Sequence, residues 1–482
     1  MTVPLLTKRA VTPSCTGFND RFDFEDLTKI CRSVADADFV EVYAERRVTT
    51  KITLAEHKIN SARYGIKEGV GVRVIRGTQT GYAYCEDLNL KNIRHAAQTA
   101  SYISREKSGG SFPRSVNISP RQTVIPVAFY PIENDASRKT NLLQRANAAA
   151  RDENSCISEV SCAYYDEEQE IRIANSDGIR CSDQRSLYGF HVLALAEEND
   201  YQNTGYAVGG GRISFAGFEK RTPEVMGREA AMQAVRKLNS RDCPAGRFEV
   251  VINKGWGGVL IHEAVGHGLE SDFNRRGSSV YAGKIGQKVA PEWITIIDDG
   301  TLEQGRGSMN IDDEGTPCQK NILIENGILK NYLYDTYNAR LMNTAPTGNG
   351  RREDFTQIPL PRMTNTYIAG GETDPADMIR SIKRGLFART LGGGQVDSTS
   401  GNFVFEVQEG YWIEDGEITY PVRGANLVGN GPEIINHIVA VGNDLTIETG
   451  IGTCSKDGQN IPVGIGQPTI KISSMTVGGT KL

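Results

Sequence analysis

Several features that usually announce a function are missing from this chain of 482 residues. No stretch approaches the roughly 20 consecutive apolar residues of a membrane-crossing helix, so no contact with a membrane is expected. Basic charge is not in excess: 54 Lys and Arg stand against 59 Asp and Glu, giving a formal net charge of -5 with the cations scattered. Such a chain has no electropositive footprint for phosphate backbones, which argues against direct binding of nucleic acid. The nine cysteines (15, 31, 85, 156, 162, 181, 243, 318 and 454) are odd in number and widely spaced, with no C-x-x-C pair. That usage fits a reducing compartment rather than a disulfide framework. The opening MTVPLLTKRAVTPSC lacks the charged region and apolar core of a secretory signal, so a soluble cytoplasmic protein is expected. The run Gly392-Gly393-Gly394 is not followed by Gly-Lys-Ser/Thr, which removes a phosphate-binding loop.

What is present is ordinary globular composition, 39% hydrophobic and 23% charged, at a length sufficient for two or three domains. The 52 glycines follow no collagen period and suggest many tight turns in a strand-rich fold. After a polar leader to about residue 36, Val48, Thr50, Ile52 and Leu54 alternate as in a half-buried strand over Val40–Leu54. A hairpin follows over 69–74 and 81–85, turning at Arg76-Gly77-Thr78. From Leu90 the apolar period lengthens to Ile93, Ala97 and Ala100, a helix with Asp87 as its expected cap. A second helix is expected around Leu142, Ala146 and Ala149. Strands then run from about Ile157 to Phe215, with turns expected at Ser176-Asp177-Gly178 and Gly209-Gly210-Gly211. Thr222-Pro223 opens a helix over 222–240, which the breaker Cys243-Pro244-Ala245-Gly246 ends. The expected class is therefore α+β, an α/β N-terminal domain over 1–245 followed by a β-rich domain over 246–482. In the latter, a hairpin is expected at Asp415-Gly416, and a helix capped at Asp374-Pro375 should run through Met378, Ile382 and Leu386.

Histidine is scarce, six in all, yet two of the six stand in Trp256-Gly-Gly-Val-Leu-Ile-His262-Glu263-Ala-Val-Gly266-His267. At that frequency a second histidine at a fixed offset is expected about one time in eighty. Two imidazoles supply half of a tetrahedral zinc site, and catalytic sites keep one position for water. The adjoining Glu263 can accept the proton of an activated water and return it to a leaving amine. The spacing is i,i+5, however, and on a regular α-helix at about 100° per residue the two rings would diverge by roughly 140°. Either an i→i+5 π-type turn or termination at Gly266 is required to bring them to one metal.

At this motif and in blocks from about residue 65 onward, the chain resembles the TldD/TldE (PmbA) family of metallopeptidases. The blocks include GIKEGVGVRV, GGVLIHEAVGHGLESD, GSMNIDDEGTPCQ, LIENGILKNYLYD, NARLMNTAPTGNGRRE, PRMTNTYIAGGE, GGGQVDSTSGNFVFEVQEGYWIEDGEI and GTCSKDGQNIPVGIGQPTIKISSMTVGG. The resemblance implies a TldD-type active chain, since His262, Glu263 and His267 are all present, working with a TldE-type subunit; a homodimer is the alternative. It implies Zn2+ as cofactor and Cys454 as the third ligand, with Glu270, Asp272 and His437 as rivals for that place. A zinc-dependent peptidase acting on unfolded or flexible peptides is the expected function. A non-catalytic peptide-binding or regulatory subunit, and a metal-dependent amidohydrolase on small molecules, are the competing readings.

Two further features bear on substrate. Arg351 and Arg352 carry planar forks of donors suited to a peptide carbonyl or carboxylate, although a solvated loop fits them equally. Asp312-Asp313-Glu314 lacks the ligand spacing of a calcium loop and is read as a polar turn, whose flanking strands could offer an edge to an extended peptide.

Overall fold

The computed structural model describes residues 23–34, 36–105, 135–213, 215–397 and 400–479. Most of the expected polar leader, with Cys15, lies outside these residues. Its end is helical: α1 (Phe24–Arg32) is capped by Asp23, whose side chain accepts the Asp26 N–H, and buries Leu27, Ile30 and Cys31. Polar composition hid this helix, because three buried apolar side chains suffice to seat its two and a half turns.

The first half is built on one antiparallel sheet. Its strands β1 (Phe39–Ala55), β2 (Lys58–Arg76), β3 (Gln79–Cys85), β4 (Ile157–Asn175), β5 (Arg180–Glu198) and β6 (Tyr201–Gly211) lie in the order β3-β2-β1-β4-β5-β6. Helix α2 (Leu90–Ile103) packs on β2 and β3, while α3 (Ala136–Glu153) and α5 (Pro223–Leu238), beyond the short α4 (Gly217–Lys220), cover β4 to β6. The two-residue period of β1 sorts its side chains by destination. Val40, Val42 and Ala44 join the apolar cluster under α1 and α2. Glu41, Tyr43 and Glu45 project from the other face, and all three are buried.

Three details differ from expectation. Helix α2 is capped by Asn89, which accepts the Asn92 N–H, while Asp87 bonds the side-chain amides of Asn89 and Asn92. Gly209-Gly210-Gly211 is not a turn but the end of β6; the chain reverses earlier, at Asn199-Asp200, where both residues have positive φ. The glycines are needed there for another reason: a Cβ on Gly450 would lie 2.9 Å from Gly209 Cα, so the backbones of the two halves touch. The helix capped by Asp374 covers only Pro375–Arg380, and Leu386 sits in the following strand.

In the second half, β7 (Arg241–Asp242) and β8 (Gly246–Ile252) lead into two sheets. Strands 384–396, β8, 470–478, 426–430 and 402–414 pair in succession, and 384–396 pairs back onto 402–414, closing a ring of five. The expected hairpin at Asp415-Gly416 joins 402–414 to 417–423, with both turn residues at positive φ. A second sheet runs in the order 328–329, 320–325, 296–299, 365–368, 464–467 and 446–448. A small separate hairpin, Thr453–Lys456 with Gln459–Pro462, carries Cys454. Among the described residues no helix is long and apolar enough to cross a membrane.

The two halves meet through buried charge. Arg73 donates to Glu41 at 2.8 Å and to Glu314 at 2.6 Å, Arg352 donates to Glu41 at 2.6 Å, and Arg185 donates to Asp313 at 2.7 Å. Asp312-Asp313-Glu314 is therefore no solvated turn: all three are buried, and Asp312 accepts the backbone N–H groups of Glu314, Thr316 and Gly350. The flanking segments form a single bridge, Ile311 to Pro317, rather than strands with an open edge.

One carboxylate here is poorly placed for ionisation. Asp335 caps the helix Thr336–Leu341, and burial together with the neighbouring Glu314 raises it from its ordinary value to about 7. A pKa raised on folding stabilises the native state fully below the unfolded value, and that contribution is lost as pH rises through the folded value. Asp335→Asn keeps the capping acceptor and removes the proton. Thermal unfolding across pH 4 to 8 should show the wild type losing stability in this window, with a limiting slope of about 1.4 kcal/mol per pH unit for the one proton. Asp335→Asn should flatten that fall.

Candidate metal centre

The motif segment enters over a 3-10 turn (Gly255–Gly258) and a short α-helical stretch (Val259–Ile261), and Leu260, Ile261, Val265 and Leu269 anchor it in the second-half core. Over His262–Gly266 it widens to a π-turn, in which the His267 N–H donates to the His262 carbonyl. This is the local departure from α-helix that the i,i+5 spacing demands. The extra residue per turn leaves both imidazoles on the buried side, their rings 5.1 Å apart and nearly perpendicular.

The third group comes from the hairpin. Cys454 Sγ lies 3.4 Å from His267 Nε2, and one ligand atom from each of His262, His267 and Cys454 falls within 4.8 Å of the others. Ligands at zinc–sulfur and zinc–nitrogen bond lengths, spread at a tetrahedral angle, stand about 3.5 Å apart, so the donor spacing suits a single ion. Among the described residues His262 Nδ1 has no hydrogen-bond partner although it is buried, and the set of two imidazoles and a thiol favours zinc over hard cations. Electrostatics agree. Burial opposes ionisation of Cys454, but His267 and His262 beside it hold the thiol well below its usual value.

His267 is oriented from behind. Its Nδ1 faces Glu270 Oε2 at 3.2 Å, which leaves Nε2 turned to Cys454. A carboxylate behind a ligating imidazole fixes both tautomer and ring angle. Glu270 is itself secured by Lys456 Nζ at 2.9 Å; burial would raise its pKa, but Lys456 and His267 bring it down to about 2. Of the rival ligands, Glu270 thus stands behind His267 rather than in the cluster. Asp272 pairs with Lys456 and Arg276, and His437 lies elsewhere, at the end of the helix Gly431–Asn436 beside Ser473. Glu263 is the more open member: its side chain is 21% exposed, with Oε2 3.7 Å from His267 Nε2.

Buried arginines hold the hairpin against this turn. Arg362 donates to the Cys454 carbonyl at 2.7 Å, Arg306 to the Gly452 carbonyl at 2.9 Å, and Arg351 to the Pro462 and Met363 carbonyls, both at 2.7 Å. Of the two arginines singled out from the sequence, Arg352 is engaged by Glu41 and the Asp313 carbonyl, so its fork is already used. Arg351 meets neutral carbonyls only. Sequence reasoning missed Glu270's orienting role, Lys456, Arg306 and Arg362. Lys456 could have been found, since it lies two residues from Cys454 and so on the same face of a strand; the arginines carried no such signal.

Models of three PmbA/TldA metallopeptidase domains match the chain: domain 1 over residues 40–104, the central domain over 129–238 and the C-terminal domain over 245–479. A metalloprotease TldD homolog of Buchnera aphidicola (subsp. Acyrthosiphon pisum) is 41% identical over 490 residues, covering 100% of both chains. The chain belongs to the TldD family of metallopeptidases. Another TldD homolog, from Haemophilus influenzae, is 42% identical across 92% of this chain and 93% of its own length. The same fold is seen in the crystal structure of TldE from Thermococcus kodakarensis, with a TM-score of 0.79 at 19% identity, covering 94% of this chain and 100% of that one.

The motif glycine of this TldD-family chain offers a direct test of the turn. A Cβ on Gly266 would lie 2.1 Å from the sulfur of Met363, which is fully buried. Gly266→Ala should cost about 1–3 kcal/mol, as overpacking of a closed core does, and displace a histidine. The expected outcome is a lowered Tm with reduced metal content by elemental analysis. Combining it with Met363→Ala should recover metal content, because the obstructing sulfur is gone.

Proposed function

We propose that this chain is a zinc-dependent peptidase in which His262, His267 and Cys454 hold the metal and Glu263 is the general base. The observation that carries the reading is the convergence of two imidazoles and a thiol on one point, with a partly exposed carboxylate at their edge. Bound zinc would supply a Lewis acid that polarises the scissile carbonyl and makes water at the site more acidic. Glu263 takes the proton of the attacking water and delivers it to the departing amine, which must leave neutral. Glu270 and Lys456 keep His267 in the tautomer that presents Nε2.

Unfolded or flexible peptides are the proposed substrates. The ligand groups are buried, so a scissile bond has to be presented by an extended, mobile strand rather than by a folded surface. The proposed catalytic unit is residues 246–482, which supply every member of the cluster and Glu263, with 1–245 as an α/β domain packed on it through the buried charge network. A TldE-type chain is the proposed partner and the cytoplasm the proposed location, supported by the family resemblance and by cysteines that are all free among the described residues. Native mass measurement with and without a TldE-type chain separates a heterodimer from a homodimer.

Cleavage of a mixed peptide digest, read by mass spectrometry, tests the chemistry. Glu263→Gln should retain zinc and lose about 10²–10⁴-fold in rate, the usual worth of a positioned general base. Cys454→Ser should lose zinc as well as activity. Undiminished cleavage by Glu263→Gln, or full zinc occupancy in Cys454→Ser, would remove these residues from their roles.

A further inference from the structure

Beside the metal centre lies a cavity of about 300 Å³ whose walls include six arginines against three carboxylates. The balance is more uneven than the count suggests. Arg47 is paired with Glu45 and Glu167, Arg185 with Asp183 and Asp313, and Arg352 with Glu41. Among the described residues, Arg212, Arg306 and Arg351 have no carboxylate partner within ion-pair distance and are bonded only to neutral acceptors. Arg212 donates to the carbonyls of Arg306 and Ser186, Arg306 to the Gly452 carbonyl and the Tyr165 hydroxyl, and Arg351 to the carbonyls of Met363 and Pro462. These bonds fix the guanidinium planes without neutralising them. Donors are also left over: Arg306 Nη1 and Arg351 Nε are buried with no hydrogen-bond partner among the described residues, in side chains 5% and 2% exposed overall. Leaving such charged donors unmet is costly unless something negative meets them.

The local field supports the same conclusion. Burial, with Arg185 and Arg351 nearby, brings Arg212 down to about 9, and burial, opposed by Asp313 and aided by Arg362 and Arg185, brings Arg351 down to about 10. Both remain cationic at neutral pH. Of the lining carboxylates, Glu353 alone has no cationic partner among the described residues, and it is occupied in accepting the Asn460 N–H.

Position ties the cavity to the proposed chemistry. Its wall includes Gly452 and Thr453, the residues immediately before Cys454, and Pro462 across the hairpin. Arg351 also holds the carbonyl of Met363, whose side chain packs on Gly266 between the two histidines. We propose that this cavity is an anion subsite in which Arg212, Arg306 and Arg351 receive a carboxylate of the peptide substrate, in the first place its free C-terminus. Guanidinium forks suit a carboxylate by shape as well as charge. The inference rests on the peptidase reading and adds to it a preference for peptides that present a carboxylate to one side of the scissile bond.

The test uses the zinc-loaded full chain, with its partner chain present where activity requires it. A hexapeptide without Asp or Glu is assayed as free acid and as C-terminal amide, and a second pair of amides differs by one Glu in place of Gln. The free acid should have a KM about tenfold lower than its amide, a modest return for charge-assisted hydrogen bonds. Arg212→Gln should reduce that ratio to within about twofold by raising the KM of the free acid, while Arg212→Lys keeps part of the preference. A preference confined to the Glu amide would assign the same subsite to an acidic side chain. Equal KM within both pairs overturns the subsite, while loss of cleavage in Glu263→Gln would leave the peptidase reading standing. Should the wild type cleave none of the four, fluorescence anisotropy with labelled peptides still decides: about tenfold tighter binding of a carboxylate-bearing form supports the subsite, and equal binding overturns it.

Discussion

Guanidinium groups bonded to main-chain carbonyls are the constraint on which the rest of this architecture turns. A cysteine on a two-stranded hairpin has little rigidity of its own, since an isolated hairpin is marginal in water. Here three arginines, Arg306 from one loop, Arg351 in the small strand pair 350–351/360–361 and Arg362 just after it, fix the carbonyls of Gly452, Cys454 and Pro462. An arginine is suited to this because several donors leave one rigid plane. Burying such cations is not a cheap way to gain stability, and the return is positional: the thiol can occupy one place only. The ion network between the halves does comparable work at larger scale, seating the sheet of the first half against loops 311–316 and 349–355.

Much of this was legible in the sequence wherever a local rule governs the outcome. The long alternation from Val40, the helix opened by Thr222-Pro223 and the Asp415-Gly416 hairpin depend on period, capping and turn chemistry, all readable within a few residues. The histidine spacing even disclosed a backbone irregularity, because rings five residues apart cannot converge on an ordinary helix. The misreadings have a common origin in contacts made across the chain. Gly209–Gly211 look like a turn until a backbone from residue 450 is seen lying against them. Asp312, Asp313 and Glu314 look solvated until Arg73, Arg185 and Arg352 arrive from elsewhere. Leu386 fits a helical period but belongs to a strand, whose partners β8 and 402–414 overrule it.

Charge around the candidate metal centre is layered. Cys454 and Glu270 stand on opposite edges of the His267 ring, so the imidazole lies between two anions and has little freedom to rotate. Lys456 and Arg362 then border Glu270. Each group offsets the burial cost of the next, which is why so polar an assembly persists beneath an apolar core. Glu263, the member with appreciable exposure, marks the side from which solvent reaches the cluster.

The thiol and the second imidazole are 187 residues apart in the chain. During synthesis the histidine turn therefore leaves the ribosome well before the cysteine exists, and the hairpin that bears the cysteine is seated by Arg306, Arg351 and Arg362, which lie between them in the chain. An unfinished or misfolded copy holds two donors and no third. The cluster is therefore a product of the finished fold: its three donors come together only after the hairpin near the end of the second half has been made and seated.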